Sequence, residues 1–408
     1  MVLQTWLIEI AKGIGKIFLN PLLYWIIILY FVTSYRRIKR ERKQFGMKVY
    51  DMFSEGRHTI LIAIVFSIII SVLSVSFGIV LSLEIMIVLA LVMFLLSVTG
   101  SVMLLSASYT IGIAFLLLLL LPFAPLKAVG AYVDFTAISP IHFIGLAMLA
   151  GLFLLAEGML IGSARNRPSY PALSLSNRGV RIGEHHLKKM AFIPFFAFLP
   201  TGNLGAIAPL FPYFEYGNQS FSFILFPFVI GYHYRVRGDL PGEAARKLGQ
   251  ATLYISSVVL LCAAGSLFFP VLSFVAILLA IVGKEWMTYR FRMKDRRQPA
   301  YFTPLDKGVR VLATIPDSPA DRLGIMIGET ITKVNGTVVA NSAEFYEALQ
   351  NSGAFFKLDV LDHQGEVRFV NSAFYEEDHY KLGIVFPEDS AHRLEESNGI
   401  GEEEVAGS

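Results

Sequence analysis

The sequence predicts a polytopic α-helical membrane domain of about nine spans, followed by a small α+β domain. The first supporting observation is a change of composition near residue 298. Before it, long apolar runs alternate with short basic loops; after it, turns, capped helices and alternating strands follow one another. The second is that 54% of the 408 residues are hydrophobic, more than a water-soluble domain usually carries. We therefore predict a membrane domain over 1–297 and a second domain over 300–387.

Nine apolar segments are candidate membrane spans, since a helix needs roughly 20 apolar residues to cross about 30 Å of hydrocarbon. Thr59 to Leu81 carries no charge, and the uncharged run from Ile85 to Leu126 is long enough for two helices. The predicted spans are 17–34, 59–81, 84–105, 108–125, 138–162, 191–213, 219–234, 251–268 and 270–283.

The first segment leaves the number of spans open between nine and eight. Its apolar residues recur at helical spacing, with Lys12 and Lys16 between them: Leu3, Trp6, Leu7, Ile10, Ile14 and Phe18. This pattern fits an amphipathic helix in the membrane interface as well as it fits an extended first span. No small-residue cleavage site follows the run, so we expect an uncleaved anchor.

Basic residues set the predicted orientation. Residues 1–297 carry 27 Lys and Arg against 13 Asp and Glu, whereas 298–408 carry 8 against 19. Four loops hold most of the positive charge: 36–57, 165–189, 235–247 and 284–297. Such loops face the cytoplasm, and even numbers of predicted spans separate them. The second domain is therefore predicted in the cytoplasm, with the basic loops on anionic lipid. Its acidity argues against nucleic acid as a partner.

Ionisable groups in apolar segments are candidate functional sites. Glu84 and Asp134 fall at predicted span ends, and His142 lies near the outer face. Glu157 precedes Arg165 by about eight residues, within pairing reach of the inner interface. We therefore expect structural roles for them. The single cysteine, Cys262, excludes an internal disulfide framework and fits a reducing cytosol.

The sequence lacks the common catalytic motifs. A zinc protease needs two histidines at i and i+4 around a glutamate, whereas His185 and His186 are adjacent in a basic segment, where we expect loop residues. No GxSxG elbow is present. The sequence therefore predicts a protein that is not an enzyme and that has no cofactor or metal site.

Interrupted apolar segments leave a transport function open, because broken helices can line transporter sites. Prolines interrupt the predicted spans 191–213 and 219–234: Pro194, Pro200, Pro209, Pro212 and Pro227. No matching pair or internal repeat accompanies them. A transporter or sensor with a soluble appendage, or a catalytically dead membrane protease, therefore stands as the alternative to a scaffold.

Local motifs in the second domain indicate where helices begin and where the chain turns. Ser318-Pro319 is typical of a helix start, Asn335-Gly336 of a hairpin turn, and Asn341 with Glu344 of a capping box. The expected elements are strands at 308–315, 330–334, 355–361, 366–371 and 382–386, and helices at 318–324 and 342–351.

This domain resembles the PDZ family, in its circularly permuted bacterial form. The resemblance is carried by GVRVLATIPDSPADRLGIMIGETITKVNGTVVANSAEFYEAL, from Gly308 onward. It implies that the amides of a loop cradle a peptide carboxylate and that the following strand adds the peptide by β-augmentation. The implied peptide-binding residues are Lys381, Leu382, Gly383, Ile384 and Phe386, facing Phe345 and Leu349. Because the acids at 376–378 would repel a carboxylate, an internal peptide or a folded partner also stays open.

The whole chain resembles the MinJ-like family, cell-division topological determinants that are polytopic membrane proteins ending in a PDZ domain. The segments that carry this resemblance are RRIKRERKQF, RGVRIGEHHLKKM and VLATIPDSPADRLGI. It implies a non-enzymatic adaptor in division-site selection at the septum and poles of the plasma membrane, linking DivIVA to MinD. A homo-oligomer stays open. Residues 388–408, with seven acids and one arginine, are expected to form a disordered tail.

Overall fold

The computed structural model describes residues 2–57, 59–123, 139–166, 169–176, 179–204, 221–353, 355–373 and 382–387. Several predictions fall outside these residues: those for Asp134, the acids at 376–378, Lys381 and the tail 388–408.

The N-terminal part of the chain contains nine α-helices within the described residues. They are α1 (Val2–Ile17), α2 (Pro21–Phe45), α3 (Ser54–Arg57), α4 (Ile60–Ser76), α5 (Leu83–Val98), α6 (Ala107–Leu120), α7 (Pro140–Ser163), α8 (Pro241–Gly265) and α9 (Val271–Arg297). Local chemistry sets their ends. The Asn20 side chain accepts a hydrogen bond from the Leu22 amide at the start of α2, and Gly46 ends that helix with φ at 70°, a position that favours glycine.

Fewer helices are long enough to span a bilayer than the sequence predicts. Among the described residues, α7, α8 and α9 are long and apolar enough to cross a bilayer. Helices α1 and α2 meet at a bend of 52° and add a fourth crossing if they form one span. Helices α4, α5 and α6 are apolar but have only 17, 16 and 14 residues, or roughly 21–26 Å at 1.5 Å per residue. The predicted number of about nine helical spans is therefore wrong.

Two of the predicted spans are strands. Residues in 191–213 and 219–234 belong to β2 (Arg181–Phe192), β3 (Phe195–Leu204), β4 (Phe221–Phe226) and β5 (Val229–Val236), which follow β1 (Tyr170–Leu175). Phe-rich and β-branched segments favour strands, and proline disfavours a helix interior. Pro194 and Pro227 separate consecutive strands, instead of interrupting helices as the sequence suggested.

These strands form two antiparallel units, a sheet in the order β1-β2-β5 and the hairpin β3-β4. One edge of the hairpin is closed by the turn between α4 and α5. There the Phe198 amide donates to the Ile79 carbonyl at 3.0 Å, and the Leu81 amide donates to the Phe198 carbonyl at 2.8 Å. Helix α1 packs against β4. This edge of the hairpin is therefore paired at Phe198 and β4 is covered by α1, an arrangement that suits non-helical chain beside lipid.

Helix α7 is the centre of the membrane domain. It packs against α6, α8, α9 and the strand β5. Of the 18 residues in its apolar stretch, 89% are buried inside the protein. Its contact with α8 is close because small residues face each other. A Cβ at Gly249 would lie 2.7 Å from backbone atoms of Gly162, so only glycine fits there.

A buried ion pair joins three helices of this domain. The Glu157 carboxylate on α7 pairs with the Lys284 ammonium on α9, and both side chains are at most 1% exposed. Glu157 also accepts hydrogen bonds from the Ser106 hydroxyl at 2.7 Å and from the Ala107 amide, the first residue of α6, at 3.2 Å. The structural role expected for Glu157 is confirmed, and its partner is Lys284.

Many apolar side chains on the outer helices face away from the protein. On α4 the exposed residues include Ile60, Leu61, Ile64, Ile68 and Val72, each more than half exposed. Large exposed apolar surfaces mark contact with a membrane or a partner. The faces of these helices therefore fit a lipid environment, although the helices are short.

The C-terminal domain has the local elements that the sequence predicts. They are β6 (Val309–Arg310), β7 (Ala313–Thr314), α10 (Pro319–Arg322), β8 (Thr330–Val334), β9 (Thr337–Val338), α11 (Ser342–Gln350), β10 (Phe355–Leu361), β11 (Val367–Ala373) and β12 (Ile384–Val385). One sheet has the order β11-β10-β8-β6 with β9 on β8, and a second pairs β12 with β7. Asn341 is confirmed as the N-cap of α11, since the Glu344 amide donates to Asn341 Oδ1 at 2.9 Å. The Glu344 carboxylate accepts from the Ala340 amide at 2.8 Å and not from the Asn341 amide that a capping box would use.

We predict that Lys284→Met strongly destabilises the membrane domain, because it leaves the Glu157 carboxylate buried without a counter-charge. The unfolding free energy should fall by about 3–5 kcal/mol, measured by denaturing-detergent titration of the purified chain in mixed micelles. The control is Lys247→Met, which breaks a partly exposed pair with Asp239 and should cost no more than about 1 kcal/mol. Equal losses for the two variants would contradict the role of the buried pair.

Candidate peptide groove and its contact with the membrane domain

The predicted peptide-binding residues lie together but are packed into the core of the C-terminal domain. Leu382, Ile384 and Phe386 share one apolar cluster with Phe345 and Leu349, all at most 4% exposed. The rings of Phe345 and Phe386 are 5.1 Å apart, in an edge-to-face arrangement. The structure therefore brings the two sides of the predicted groove into direct contact, and their role in binding stays a prediction.

The strand β12 has one paired edge and one edge that faces helix α11. On the paired edge, the Leu312 amide donates to the Val385 carbonyl at 2.9 Å and the Ile315 amide donates to the Gly383 carbonyl at 2.8 Å. On the other edge, the Tyr346 hydroxyl donates to the Ile384 carbonyl at 3.3 Å. A peptide that adds to this edge would use the same carbonyl, so it would have to displace Tyr346.

Tyr346 is a residue of this site that the sequence reasoning missed. It is half-buried on α11, next to Phe345, which the sequence placed at the groove. Because neighbours on a helix point about 100° apart, only one of the two can face the strand edge. The signal available in the sequence was its spacing of three from Leu349, which puts both on one side of the helix.

Gly383 is required by the backbone of the C-terminal domain. Its φ is +81°, and a Cβ there would lie 2.3 Å from the Cβ of Ser318. A larger residue would therefore be strained and would collide with the start of α10. Replacing Gly383 would disturb folding as well as any ligand contact.

The two-stranded sheet β7-β12 also contacts the membrane domain. Its face away from the core contributes Leu312, Ala313 and Val385 to a second apolar cluster, which includes Tyr50 and Tyr170 of the membrane domain.

The segment between α9 and β6 adds main-chain pairing to this contact. The Gly183 amide donates to the Phe302 carbonyl at 2.8 Å, and the Tyr301 amide donates to the Arg237 carbonyl at 2.7 Å. The C-terminal domain is thus held against the sheet β1-β2-β5 by both apolar packing and backbone hydrogen bonds.

A buried arginine orders the segment that receives the C-terminal domain. The Arg37 guanidinium, 1% exposed, contacts Glu41 at 2.9 Å and Glu55 at 3.2 Å. It also donates to the Asp51 carbonyl at 2.7 Å and lies 4.5 Å above the Tyr170 ring. This part of the basic segment 36–57 is therefore a fixed structure beside the C-terminal domain. Arg40 is also partly buried, 3.3 Å from His186 Nδ1. The other cations of the segment are exposed: Arg36, Lys39, Arg42, Lys43, Lys48 and Arg57.

His185 and His186 lie on strand β2 and are buried, so their expected placement in a loop is wrong. His185 Nδ1 is 2.9 Å from the Ser169 hydroxyl. His186 Nε2 is 3.0 Å from Glu184 Oε1, and its Nδ1 is 2.8 Å from His233 Nε2. Within the described ranges, no group of three or more His, Cys, Asp or Glu is arranged to hold a metal ion.

The environment fixes the charges of this cluster at neutral pH. Burial lowers the pKa of His185 to about 3 and also lowers the pKa of His186, so both rings are neutral. Burial alone would raise the pKa of Glu184, but hydrogen bonds from His186 and Ser174 and the charge of Arg235 lower it to about 2. The Glu184 carboxylate is thus held between the neutral His186 ring and the Arg237 guanidinium, 3.6 Å away, in the sheet beside the C-terminal domain.

We predict that acidification destabilises this contact. Unfolded His185 has the ordinary pKa of 6.5 and the folded residue about 3. Below about pH 6.5 the unfolded chain therefore binds more protons, and the unfolding free energy falls as the pH drops. The slope should approach about 1.4 kcal/mol per pH unit for this group.

The measurement is thermal unfolding of the full chain in detergent between about pH 7 and pH 5. His185→Gln keeps a polar side chain near Ser169 but cannot titrate, so the pH dependence should become shallower. His363→Gln, which removes an exposed histidine of the C-terminal domain, is the control. An unchanged slope for His185→Gln would contradict the prediction.

Comparison with known proteins places the whole chain among cell division topological determinants. No protein-family model matches the sequence. Cell division topological determinant MinJ of Bacillus subtilis is 32% identical over 94% of this chain and 96% of its own length. Probable cell division topological determinant MinJ of Lacticaseibacillus paracasei is 24% identical over 61% of this chain and 68% of its own. The crystal structure of the PDZ domain of an SdrC-like protein from Listeria monocytogenes matches at 22% identity, covering 21% of this chain and 92% of that chain, with a TM-score of 0.18.

Proposed function

We propose that this chain, which belongs to the MinJ family of cell division topological determinants, is a non-enzymatic membrane adaptor that positions division proteins. The observation that carries the proposal is the 32% identity over 94% of the chain, which covers both the membrane domain and the C-terminal domain. The role in division-site selection follows from the family, and the adaptor mechanism is our inference from the docked C-terminal domain.

We infer a multi-pass topology with the C-terminal domain in the cytoplasm. Four crossings between the first two basic loops would require the short helices α4, α5 and α6 to cross together with α7, which local thinning of the bilayer allows. Helices α8 and α9 would supply two crossings between the last two loops. The segment between α7 and α8 returns to its own side, since β2 and β5 are antiparallel neighbours. All four basic loops then lie on one face, as the positive-inside rule expects, and can contact anionic lipid.

The C-terminal domain supplies the partner-binding site in this proposal. Its PDZ-like groove would comprise Lys381, Leu382, Gly383, Ile384, Phe386, Phe345 and Leu349, with Tyr346 covering the strand edge. We propose that a division protein adds to this edge while the basic loops hold the domain at the membrane. By resemblance to the family, the partners would be DivIVA and MinD, and the chain would bridge them at the septum and poles.

A transport function has lost its main support. Within the described residues, the proline-interrupted segments that suggested broken helices belong to the strands β2 to β5, whose backbone groups pair with one another; Pro209 and Pro212 lie outside these residues. They do not present the free helix ends on which transporter sites depend.

We predict that Tyr346→Phe strengthens binding at the strand edge, because the variant frees the Ile384 carbonyl and keeps the ring. Losing one neutral hydrogen bond, worth about 0.5–1.5 kcal/mol, should raise partner affinity by up to about tenfold. The measurement is biolayer interferometry of the full chain in nanodiscs with purified DivIVA and MinD. Tyr289→Phe, an exposed tyrosine on α9, is the control. Unchanged affinity for both partners would argue against this edge as their contact.

We predict that a fluorescent protein fused after Ser408 accumulates at septa and poles of growing cells. An adaptor for division-site selection must be concentrated where its partners act, whereas a transporter has no such requirement. Fluorescence microscopy with a membrane dye as reference measures the enrichment. A uniform membrane signal would contradict the adaptor, and an expressed but dark fusion would contradict the cytoplasmic C-terminus.

A further inference from the structure

An apolar groove opens on the lipid-facing side of the membrane domain, between α2 and α4. Its volume is about 580 Å³, within the range of about 300–1,000 Å³ that small-ligand sites occupy. The helices form its walls, with Ile26, Ile27 and Ile64 among the lining residues, and β2 and β5 form its floor through Met190, Phe192 and Val229. Ile27 and Ile64 are about half exposed, so the groove is open to the surrounding lipid.

The lining of the groove suits a hydrocarbon chain. Its α4 wall runs from Ile60 to Ile68, which is roughly 12 Å at 1.5 Å per residue. Most of the side chains that line it are apolar, so an acyl chain placed there would be removed from water.

The inner end of the groove is polar. Tyr30, Gly56 and Thr59 line it there, and the Tyr30 hydroxyl accepts a hydrogen bond from the Gly56 amide at 3.0 Å. This end adjoins the basic segment 36–57, where Arg36 and Arg57 are exposed. The groove is therefore apolar along its length and cationic at its inner end. A phospholipid has the matching arrangement, with apolar acyl chains and a charged headgroup.

Lys188 places a cation beside the floor at this end, although it is not itself among the lining residues. Side chains alternate along a strand, so Lys188 lies on the same face of β2 as Met190 and Phe192, which line the groove. Burial lowers the pKa of its ammonium, and the nearby charges of Arg40, Arg37 and Arg36 lower it further, while Glu55 opposes them. Glu55 is already paired with Arg37. Among the described residues, no hydrogen bond or ion pair to the Lys188 ammonium is present.

We propose that this groove binds one anionic phospholipid, with an acyl chain between α2 and α4 and the phosphate at Lys188. A mostly buried ammonium without a partner gains most from a charged acceptor, and the apolar walls supply the burial of the chain. The inference rests on the membrane placement proposed above and not on the role in cell division. A lipid held here would fill the contact between α2, α4 and the sheet that supports the C-terminal domain.

The test is lipid retention by the purified full chain. The chain is incubated with vesicles of phosphatidylglycerol or of phosphatidylcholine, washed in detergent and analysed by native mass spectrometry. We expect wild type to retain one phosphatidylglycerol in preference to phosphatidylcholine. Lys188→Gln should retain at least about tenfold less, equivalent to about 1.4 kcal/mol, and Lys188→Arg should restore retention. Ser67→Phe, which fills the groove from α4, should also abolish it.

Two control variants separate the site from general effects. Lys43→Gln removes an exposed cation from the same basic segment, and Ser257→Phe adds a ring on an exposed face of α8; both should retain lipid as wild type does. Equal losses for Lys43→Gln and Lys188→Gln would overturn the site in favour of general surface attraction. Equal retention of the two lipids by wild type would overturn it even if a variant failed to fold. Loss of a co-purifying protein from Ser67→Phe, without loss of lipid, would identify a protein-binding groove instead.

Lipid retention is measured without protein partners, so a negative result would not count against the proposed role in cell division. Conversely, a fusion that failed to reach the septum would not count against the proposed lipid site. The two proposals are thus decided by different measurements.

Discussion

The buried pair between Glu157 and Lys284 is the interaction on which the arrangement of this protein depends. It connects the central helix α7 to α9, while Ser106 and Ala107 bring the start of α6 to the same carboxylate. The Lys284 ammonium also lies 5.6 Å from the Tyr234 ring on β5. An uncompensated charge at this depth is strongly unfavourable, so the pair fixes the position of α9. Since α9 leads directly into the C-terminal domain, it also fixes where that domain begins.

The C-terminal domain is held by the same small sheet that would receive a peptide. Strands β7 and β12 contribute one face to the domain core and the other to the cluster with Tyr50 and Tyr170. If β12 moved to admit a ligand, its contact with the membrane domain would therefore change as well. This two-sided burial physically links the proposed binding edge to the Arg37-ordered segment, and it favours an adaptor whose domain is positioned rather than freely tethered.

The sequence predicts the C-terminal domain well because its signals are local. An N-cap, a proline at a helix start and an Asn-Gly turn each act over four residues or fewer, and all three appear in the structure. The strands β3 to β5 were missed because an apolar run satisfies the length test for a span whatever its conformation, and most of β2 was missed because its basic residues suggested a loop. Their pairing partners are distant in sequence, as are Lys284 for Glu157 and Ile384 for Tyr346. No spacing rule along the chain identifies such partners.

The contact between Tyr346 and Ile384 has a consequence for how tightly this edge can bind. A ligand that adds to β12 must break that hydrogen bond before it gains its own, and it meets aromatic rings already packed against one another. The apparent affinity is reduced by the fraction of molecules in which the edge is free. A membrane adaptor can accept this reduction, because confining both partners to one surface raises their effective concentration. Weak, reversible capture at the edge is therefore compatible with stable recruitment by the whole assembly.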